Sequence, residues 1–364
     1  FSSRRRHTRW CVRSRGLGDV YKRQIPIIAG QAESLYVFQR TPNYTVPARN
    51  APLDPRQRQA VKNRYREFRN EAKQSFAGIH FRYNPESAVE VSEQRRREEF
   101  EARWAHGGVT FMGAFSDLLF DPRANEAAAE FVRSKIREVV KDPQVAESLC
   151  PDNIIGCKRL CVDTDYYATY NRPNVTLIDV RKSPIESITP DGVEAVGNTY
   201  EVDAIVLATG FDAMTGALTR IDIRNGSGEA LAKNWKYGPR AYLGLMISGF
   251  PNLFTITGPG SPSVLTNMLP SIEQHVEWIG DCLVHLRESG NSRIEATGEA
   301  EQRWVAHVNE VAGGNLRSTC SSWYVGANIP GKPRVFMPYI GGFPAYVEKC
   351  NEVVARNYEG FAVT

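Results

Sequence analysis

No stretch of this 364-residue chain approaches the roughly 20 apolar residues of a membrane span, and nothing in it resembles a signal peptide. No membrane partner is expected, and the expected compartment is the cytoplasm. Paired cysteines are missing too. Seven cysteines occur without a Cys-x-x-Cys, and no histidine follows Cys157 and Cys161 (or nearby Cys150) at metal-ligand spacing. The pattern reads as buried free thiols in a reducing compartment, with no metal site. The six histidines form no Ser/His/Asp arrangement, and no paired-carboxylate spacing stands out. His275 and His307 read as helix-packing residues.

Charge of one sign is also lacking once its source is located. Residues 1–24 hold eight of the 45 Lys and Arg and one of the 41 Asp and Glu, which leaves 37 basic against 40 acidic residues. The formal +4 therefore belongs to the leader, and the rest gives no support for a nucleic-acid partner. The leader has no apolar periodicity and abuts Ile25 inside what reads as a helix. It resembles a translated sequencing adapter, with a basic targeting segment as the rival, and is expected to lie outside the fold. No Gly-x-Gly-x-x-Gly fingerprint is present, since Gly16-Leu17-Gly18 fails at the third glycine.

What is present begins at Leu35-Tyr36-Val37-Phe38-Gln39-Arg40-Thr41-Pro42, an apolar strand ending on an arginine. In a dinucleotide-binding βαβ unit the second strand's tip faces the adenosine ribose. An acid there suits the 2′-hydroxyl of NAD, an arginine the 2′-phosphate of NADP. Ile25–Ala29 reads as the end of the preceding helix, so the chain is expected to begin inside a fold. Thr41–Pro47 reads as extended. Val61, Tyr65, Phe68, Ala72 and Phe76 fall on one helical face, Phe100 and Trp104 on a second, and Phe131 to Val140 on a third that Asp142-Pro143 should stop. Residues 56–105 carry 12 basic and 8 acidic side chains, a solvated face.

Strands are expected at Asn174–Val180 and in a hairpin of Ile185–Ile188 and Val193–Val196 around Thr189-Pro190-Asp191-Gly192. The apolar run Ala204–Ala208 reads as a strand buried on both faces. A helix should run from about Met268 to His285.

Three motifs stand in a telling order: Phe38-Gln39-Arg40-Thr41-Pro42-Asn43-Tyr44, Ala208-Thr209-Gly210-Phe211-Asp212, and Ser271-Ile272-Glu273-Gln274-His275-Val276-Glu277-Trp278. Together with Lys158-Arg159 before Asp163-Thr164-Asp165-Tyr166-Tyr167, Gly258 to Ser263, and Ser322 to Arg334, they closely resemble the Baeyer–Villiger monooxygenases of the cyclohexanone and phenylacetone type. These belong to the flavin-containing monooxygenase superfamily. The resemblance runs from about Ile25 to Thr364.

The resemblance implies an α/β, two-dinucleotide-binding-domain flavoprotein with incomplete Rossmann-like FAD and NADP domains and a helical insertion. Residues 25–46 and 155–208 would form a partial NADP domain, 47–154 the insertion, and 209–364 the returning part of the FAD domain. On the order of 150–200 residues, a whole FAD-binding half, would lie upstream. The implied cofactors are FAD and NADPH, and the implied reaction inserts one oxygen atom of O2 beside a ketone carbonyl to give an ester or lactone. As written, the fragment would be inactive. An N- or S-oxidising flavin monooxygenase and a non-catalytic nucleotide-binding fragment remain the alternatives, and nothing indicates an oligomeric state.

By the same resemblance Arg40 and Thr41 clamp the NADPH 2′-phosphate with Lys158, and Arg159 is the catalytic arginine. Trp323 holds the nicotinamide ribose through its indole N–H. Ser263, Val264, Leu265 and Met268 line the ketone pocket, with Met268 also approaching the flavin. Gly210 and Asp212 form the interdomain hinge. Each has a plainer reading: a solvated strand end for Arg40, a structural ion pair for Arg159, core packing for Trp323 and the pocket residues.

Overall fold

The computed structural model describes residues 9–14, 20–80 and 82–364. Two compact units divide the chain, one of Phe1–Ala51 and Arg82–Phe211, the other of Pro52–Phe81 and Asp212–Thr364. The stretch 47–154, expected as one insertion, is thus shared between them.

The first unit is built on a parallel sheet. Its strands are β1 (Arg9–Ser14), β2 (Ser34–Gln39), β5 (Val175–Asp179) and β9 (Ala204–Ala208), in the order β5-β2-β1-β9. Helix α1 (Val20–Ala29) connects β1 to β2, a crossover that parallel neighbours require. Leu35, Val37 and Phe38 are buried, and so are Ile25 and Ala29 of α1. Strands β3 (Thr45–Pro47) and β4 (Cys161–Asp163) make a second parallel pair, Thr45 opposite Cys161.

Two expectations fail in this sheet. The described part of the leader is not outside the fold, because β1 fills the slot between β2 and β9 and satisfies a row of backbone groups on each. Lys22 is fully buried, its ammonium 4.7 Å over the Tyr166 ring and donating to the Asn43 carbonyl, contacts that replace lost water. Gly16-Leu17-Gly18 lies outside the described residues. The run Ala204–Ala208 is not buried on both faces either. It forms the sheet's edge, and Leu207 is 58% exposed.

The helices of this unit are α4 (Glu93–His106), α5 (Pro122–Val139), α6 (Pro143–Leu149) and α7 (Tyr166–Thr169). Phe100 of α4 meets Phe111, Phe115 and Phe131 at ring separations of 5.3 to 5.5 Å. Asp142-Pro143, expected to stop a helix, instead starts α6. Val140 already ends α5, while the Asp142 side chain accepts from the Gln144 and Val145 amides with Pro143 at the first helical position. A meander of β6 (Ile185–Thr189), β7 (Gly192–Ala195) and β8 (Asn198–Glu201) contains the expected hairpin. Gly192 is required there, since a Cβ would stand 2.0 Å from the Tyr200 carbonyl oxygen.

The second unit opens with α2 (Pro55–Asn63) and α3 (Tyr65–Lys73). The single apolar face expected across Val61 to Phe76 is broken at Arg64, whose backbone leaves the helical region, and neither helix buries a residue. Two short helices, α8 (Gly216–Thr219) and α9 (Leu231–Asn234), precede the long α10 (Met268–Glu288). Then come β10 (Ile294–Ala296), α11 (Gly298–Ala312), α12 (Phe343–Ala355) and β11 (Phe361–Val363), which pairs antiparallel with β10. Ser271, His275, Trp278, Cys282 and Leu286 form the buried stripe of α10 at spacings of 4, 3, 4 and 4.

His275 is locked in that core as a neutral ring. The Thr257 amide donates to its Nδ1 at 2.9 Å, which leaves the proton on Nε2, 2.7 Å from the Tyr346 hydroxyl. That hydroxyl in turn donates to the Leu243 carbonyl at 2.6 Å. Burial pushes the imidazole from 6.5 down to about 4. The unfolded chain therefore binds the extra proton first, and stability falls as pH drops from 6.5 towards 4. The expected loss is about 2 kcal/mol by pH 5. Urea midpoints at pH 7.5 and 5 should show it, and His275→Gln should remove that part of the slope. An unchanged slope would refute the assignment.

Candidate functional site

In the first unit the loop after β2 and the segment before β4 are stitched together. The Asn43 amide donates to the Arg159 carbonyl at 3.5 Å and to Cys161 Sγ at 3.4 Å, and the Cys161 amide donates to the Tyr44 carbonyl at 3.4 Å. Gln39, the last residue of β2, is buried and donates to the Ser148 carbonyl at 2.8 Å. Arg40 is the next residue, and here the strand leaves the sheet and the side chain becomes exposed.

These tethers bring Arg40 into electrostatic reach of Lys158. Burial, with Arg40 adding to it, holds the half-buried Lys158 ammonium below the usual lysine range. Asp152, whose charge opposes that lowering, lies 3.6 Å from Arg181. Among the described residues neither Arg40 nor Lys158 has an ion-pair or side-chain hydrogen-bond partner. Two unneutralised cations within electrostatic reach of each other repel unless an anion joins them, which suits a dianion. Thr41, half-buried, follows directly. Arg159 is exposed and also lacks an ion-pair partner among the described residues, although its backbone is held by Asn43. The structural ion pair considered for it is not formed.

In the second unit, Ser263 begins a short 3₁₀ turn, Ser263–Leu265, with φ of 45°. The Thr266 hydroxyl lies 2.8 Å from the Ser271 hydroxyl, and Asn267 caps α10 by accepting from the Leu269 amide at 3.3 Å. The Asn267 amide donates to the Ala77 carbonyl at 2.8 Å. These bonds aim the positive end of a 21-residue helix along the turn that carries Ser263, Val264, Leu265 and Met268. Ser263 is buried, the other three half-buried.

Trp323 lies in a second turn of the same unit, Trp323–Val325, all three residues buried. The Met337 amide donates to the Tyr324 carbonyl at 3.0 Å, the Gly260 amide to the Met337 carbonyl at 2.7 Å, and the Tyr339 amide to the Ser261 carbonyl at 2.7 Å. This chain of bonds fixes the Trp323 turn against the Gly258–Ser263 loop. The Trp323 indole N–H is buried and has no partner among the described residues, and the same holds for the Ser322 hydroxyl. A buried donor left unpaired costs about 1–3 kcal/mol, which a bound acceptor would recover.

Sequence reasoning missed one anchor. Lys332 forms an ion pair with Asp212 and donates to the Ala213 carbonyl at 3.1 Å, so the Trp323 loop is tied to the residues after Gly210. The partners lie 120 residues apart, and no local signal marks them. The Asn267 cap, by contrast, was findable, being an asparagine just before an apolar periodic run. Gly210 has φ of 80°, and the two units divide between Phe211 and Asp212. The first unit thus gathers Arg40, Thr41, Lys158 and Arg159, and the second gathers Asp212, Ser263, Val264, Leu265, Met268 and Trp323.

No protein-family model matches the chain. The acetone monooxygenase (methyl acetate-forming) of Gordonia sp. (strain TY-5) is 39% identical over 344 residues, which are 93% of this chain and 64% of that protein. The phenazine N-monooxygenase of Lysobacter antibioticus is 39% identical over 333 residues, 91% of this chain and 61% of its own length. The crystal structure of cyclohexanone monooxygenase from Rhodococcus sp. Phi1 bound to NADP+ superposes with a TM-score of 0.95 at 38% identity, covering all of this chain and 68% of that one. The chain spans less than two thirds of these curated relatives.

Proposed function

Because the chain belongs to the Baeyer–Villiger monooxygenase family, we propose that it is the part of an FAD- and NADPH-dependent monooxygenase that holds NADPH and carries the catalytic arginine. The whole enzyme inserts one oxygen atom of O2 beside a ketone carbonyl and yields an ester or lactone. Residues 25–46 and 155–211, with β1 in their sheet and 47–51 and 82–154 inserted in the same unit, form the NADP domain, 52–81 fall with 212–364, which contribute to the FAD domain, and the protein works in the cytoplasm. The unneutralised pair of Arg40 at the end of β2 and Lys158 before β4 carries this reading, because it fits the 2′-phosphate that distinguishes NADPH.

NADPH supplies hydride and FAD activates O2 when both are bound. The residues of this chain fit both. Arg40 and Lys158 grip the 2′-phosphate, and Thr41 adds a hydroxyl donor. The unpaired Trp323 indole N–H is free to donate to the nicotinamide ribose. The capped N-terminus of α10, with Met268 as its first residue, offers partial positive charge to an anionic flavin ring. Arg159, exposed and without an ion-pair partner among the described residues, would offer a guanidinium to negative charge developing on the reacting oxygen, the role of an oxyanion hole. Ser263, Val264 and Leu265 shape the ketone pocket. Gly210 and Asp212 form the hinge, held on one side by Lys332.

One observation favours a second reading: the phenazine N-monooxygenase matches as well as the ketone enzymes do. The test joins the chain to the remaining segment of the family and supplies NADPH, 18O2 and either cyclohexanone or a phenazine. The expected product is an ester carrying one 18O. Turnover of the phenazine to its N-oxide with no ester would replace the ketone reading by nitrogen oxidation. Failure to bind NADP+ would overturn both.

A further inference from the structure

Asn225-Gly226 is the one Asn-Gly pair in the sequence, and it lies in the loop between α8 and α9 of the second unit. That loop is a closed turn. Arg224 and Ala230 form an antiparallel bridge, the Asn225 backbone amide donates to the Glu229 carbonyl at 3.1 Å, and the Gly228 amide donates to the Asn225 carbonyl at 2.9 Å. Within it the Asn225 side chain folds back along its own backbone. Its Oδ1 accepts from the Ser227 amide at 3.1 Å, the Ser227 hydroxyl at 2.8 Å and the Glu229 amide at 2.9 Å. Nδ2, by contrast, has no hydrogen-bond partner among the described residues. Asn252 differs at both ends, since its Nδ2 donates to the Ser292 carbonyl at 3.1 Å while its Oδ1 accepts from the Ile294 amide at 2.9 Å.

We propose that Asn225-Gly226 is a site of self-modification, where the folded chain loses ammonia through a succinimide and becomes aspartate or isoaspartate. The nucleophile is the Gly226 backbone nitrogen. Gly226 is exposed, its amide donates no hydrogen bond among the described residues, and nothing stands within 4 Å of where a Cβ would be. Attack on the neighbouring Cγ is intramolecular and needs no binding step. Negative charge then develops on Oδ1, where three donors are already aimed in the manner of an oxyanion hole. The bond from Gly226 N to Cγ forms, the bond from Cγ to Nδ2 breaks, and the Gly226 amide proton leaves with that nitrogen as ammonia. Water opens the ring, giving aspartate by attack at Cγ and isoaspartate by attack at the main-chain carbonyl. Both products add a negative charge to the turn. The aspartate keeps the three donors, now charge-assisted. The isoaspartate lengthens the main chain inside the turn, beside the fully buried Leu231, whose amide donates to the Ile223 carbonyl at 2.9 Å. The assignment does not depend on the reaction proposed for the whole enzyme.

The test incubates the whole 364-residue chain in mildly alkaline buffer and follows each asparagine by peptide mass spectrometry, with an isoaspartate methyltransferase to label isoaspartate. Asn225 should exchange its NH2 for OH while Asn252 stays intact as the internal standard. Gly226→Ala, which the open space around Gly226 accommodates, should slow the conversion by about tenfold or more. Ser227→Ala removes one donor from Oδ1 and should slow it by about 2- to 12-fold, the worth of one hydrogen bond. Ser227→Thr keeps the hydroxyl and should convert like the wild type. All three variants should keep the circular dichroism of the wild type. Conversion of Asn225 no faster than that of Asn252, an unchanged rate in Ser227→Ala, or an equal loss in Ser227→Thr overturns the proposal. NADPH oxidation is not read, so such a failure leaves the proposed reaction standing.

Discussion

Replacing Arg159 by alanine, in an enzyme completed with the family's remaining segment, is expected to lower ester formation by ~10²–10³ or more while NADPH is still consumed. One preorganised donor at a developing oxyanion is worth about 3–4 kcal/mol, and here the donor brings a full charge. The surroundings of Arg159 make the result interpretable. Its side chain is exposed and forms no ion pair among the described residues, so truncation leaves no buried acid uncompensated. Its backbone is anchored through the Asn43 amide and stays anchored whatever the side chain. Stability should then move by no more than about 0.5 kcal/mol, as for an ordinary surface change. Stopped-flow absorbance would follow flavin reduction, and gas chromatography would follow the ester. Arg159→Lys should recover part of the rate, because it keeps the charge but not the planar fork. Ester formed at the normal rate by Arg159→Ala would remove this residue from the chemistry.

Much of this was readable from local pattern, and the failures share a cause. The hairpin around Thr189 to Gly192 and the long helix from Met268 are set by turn residues and by period, both local, and both formed close to where they were expected. Arg40 could be placed at a strand end because six residues of β2 precede it. Its electrostatic link to Lys158 could not be derived from spacing, since the segments that Asn43 and Cys161 join lie 118 positions apart. The family resemblance supplied that pairing, and Arg40 contributes to the lowered basicity of Lys158. Sheet position was equally non-local. An apolar run such as Ala204–Ala208 fits a central strand and an edge strand alike, and only the order of the sheet decides. The leader misled for the same reason, because Trp10 and Val12 are good strand formers but three flanking arginines hide the pattern. His275 was read correctly as a packing residue. Its depressed basicity, however, depends on Tyr346, 71 positions away.

The cofactor choice rests on Arg40 at the end of β2 and Lys158 before β4. Arg40→Ala or Lys158→Ala is expected to weaken NADP+ binding by about 10- to 100-fold each, since a hydrogen bond to a charged group contributes about 1.5–3 kcal/mol. NAD+, which has no 2′-phosphate, should bind the variants nearly as it binds the wild type, so the preference for NADP+ collapses. The double variant should lose less than the product of the two, because each cation relieves the other's isolation once one is gone. Salt should weaken NADP+ binding to the wild type and have much less effect on the double variant. The pH profile adds an independent check. Lys158 is already held below the usual lysine range by burial and Arg40, so it surrenders its proton early on the alkaline side. NADP+ affinity should fall there in the wild type and in Arg40→Ala, but not in Lys158→Ala. On the acid side the 2′-phosphate loses its second charge below about pH 6, and affinity should fall again. Titration calorimetry of the 364-residue chain with NADP+ and NAD+ measures all of this without turnover. Equal losses for the two nucleotides would mean that Arg40 and Lys158 hold the loop together and do not read the phosphate.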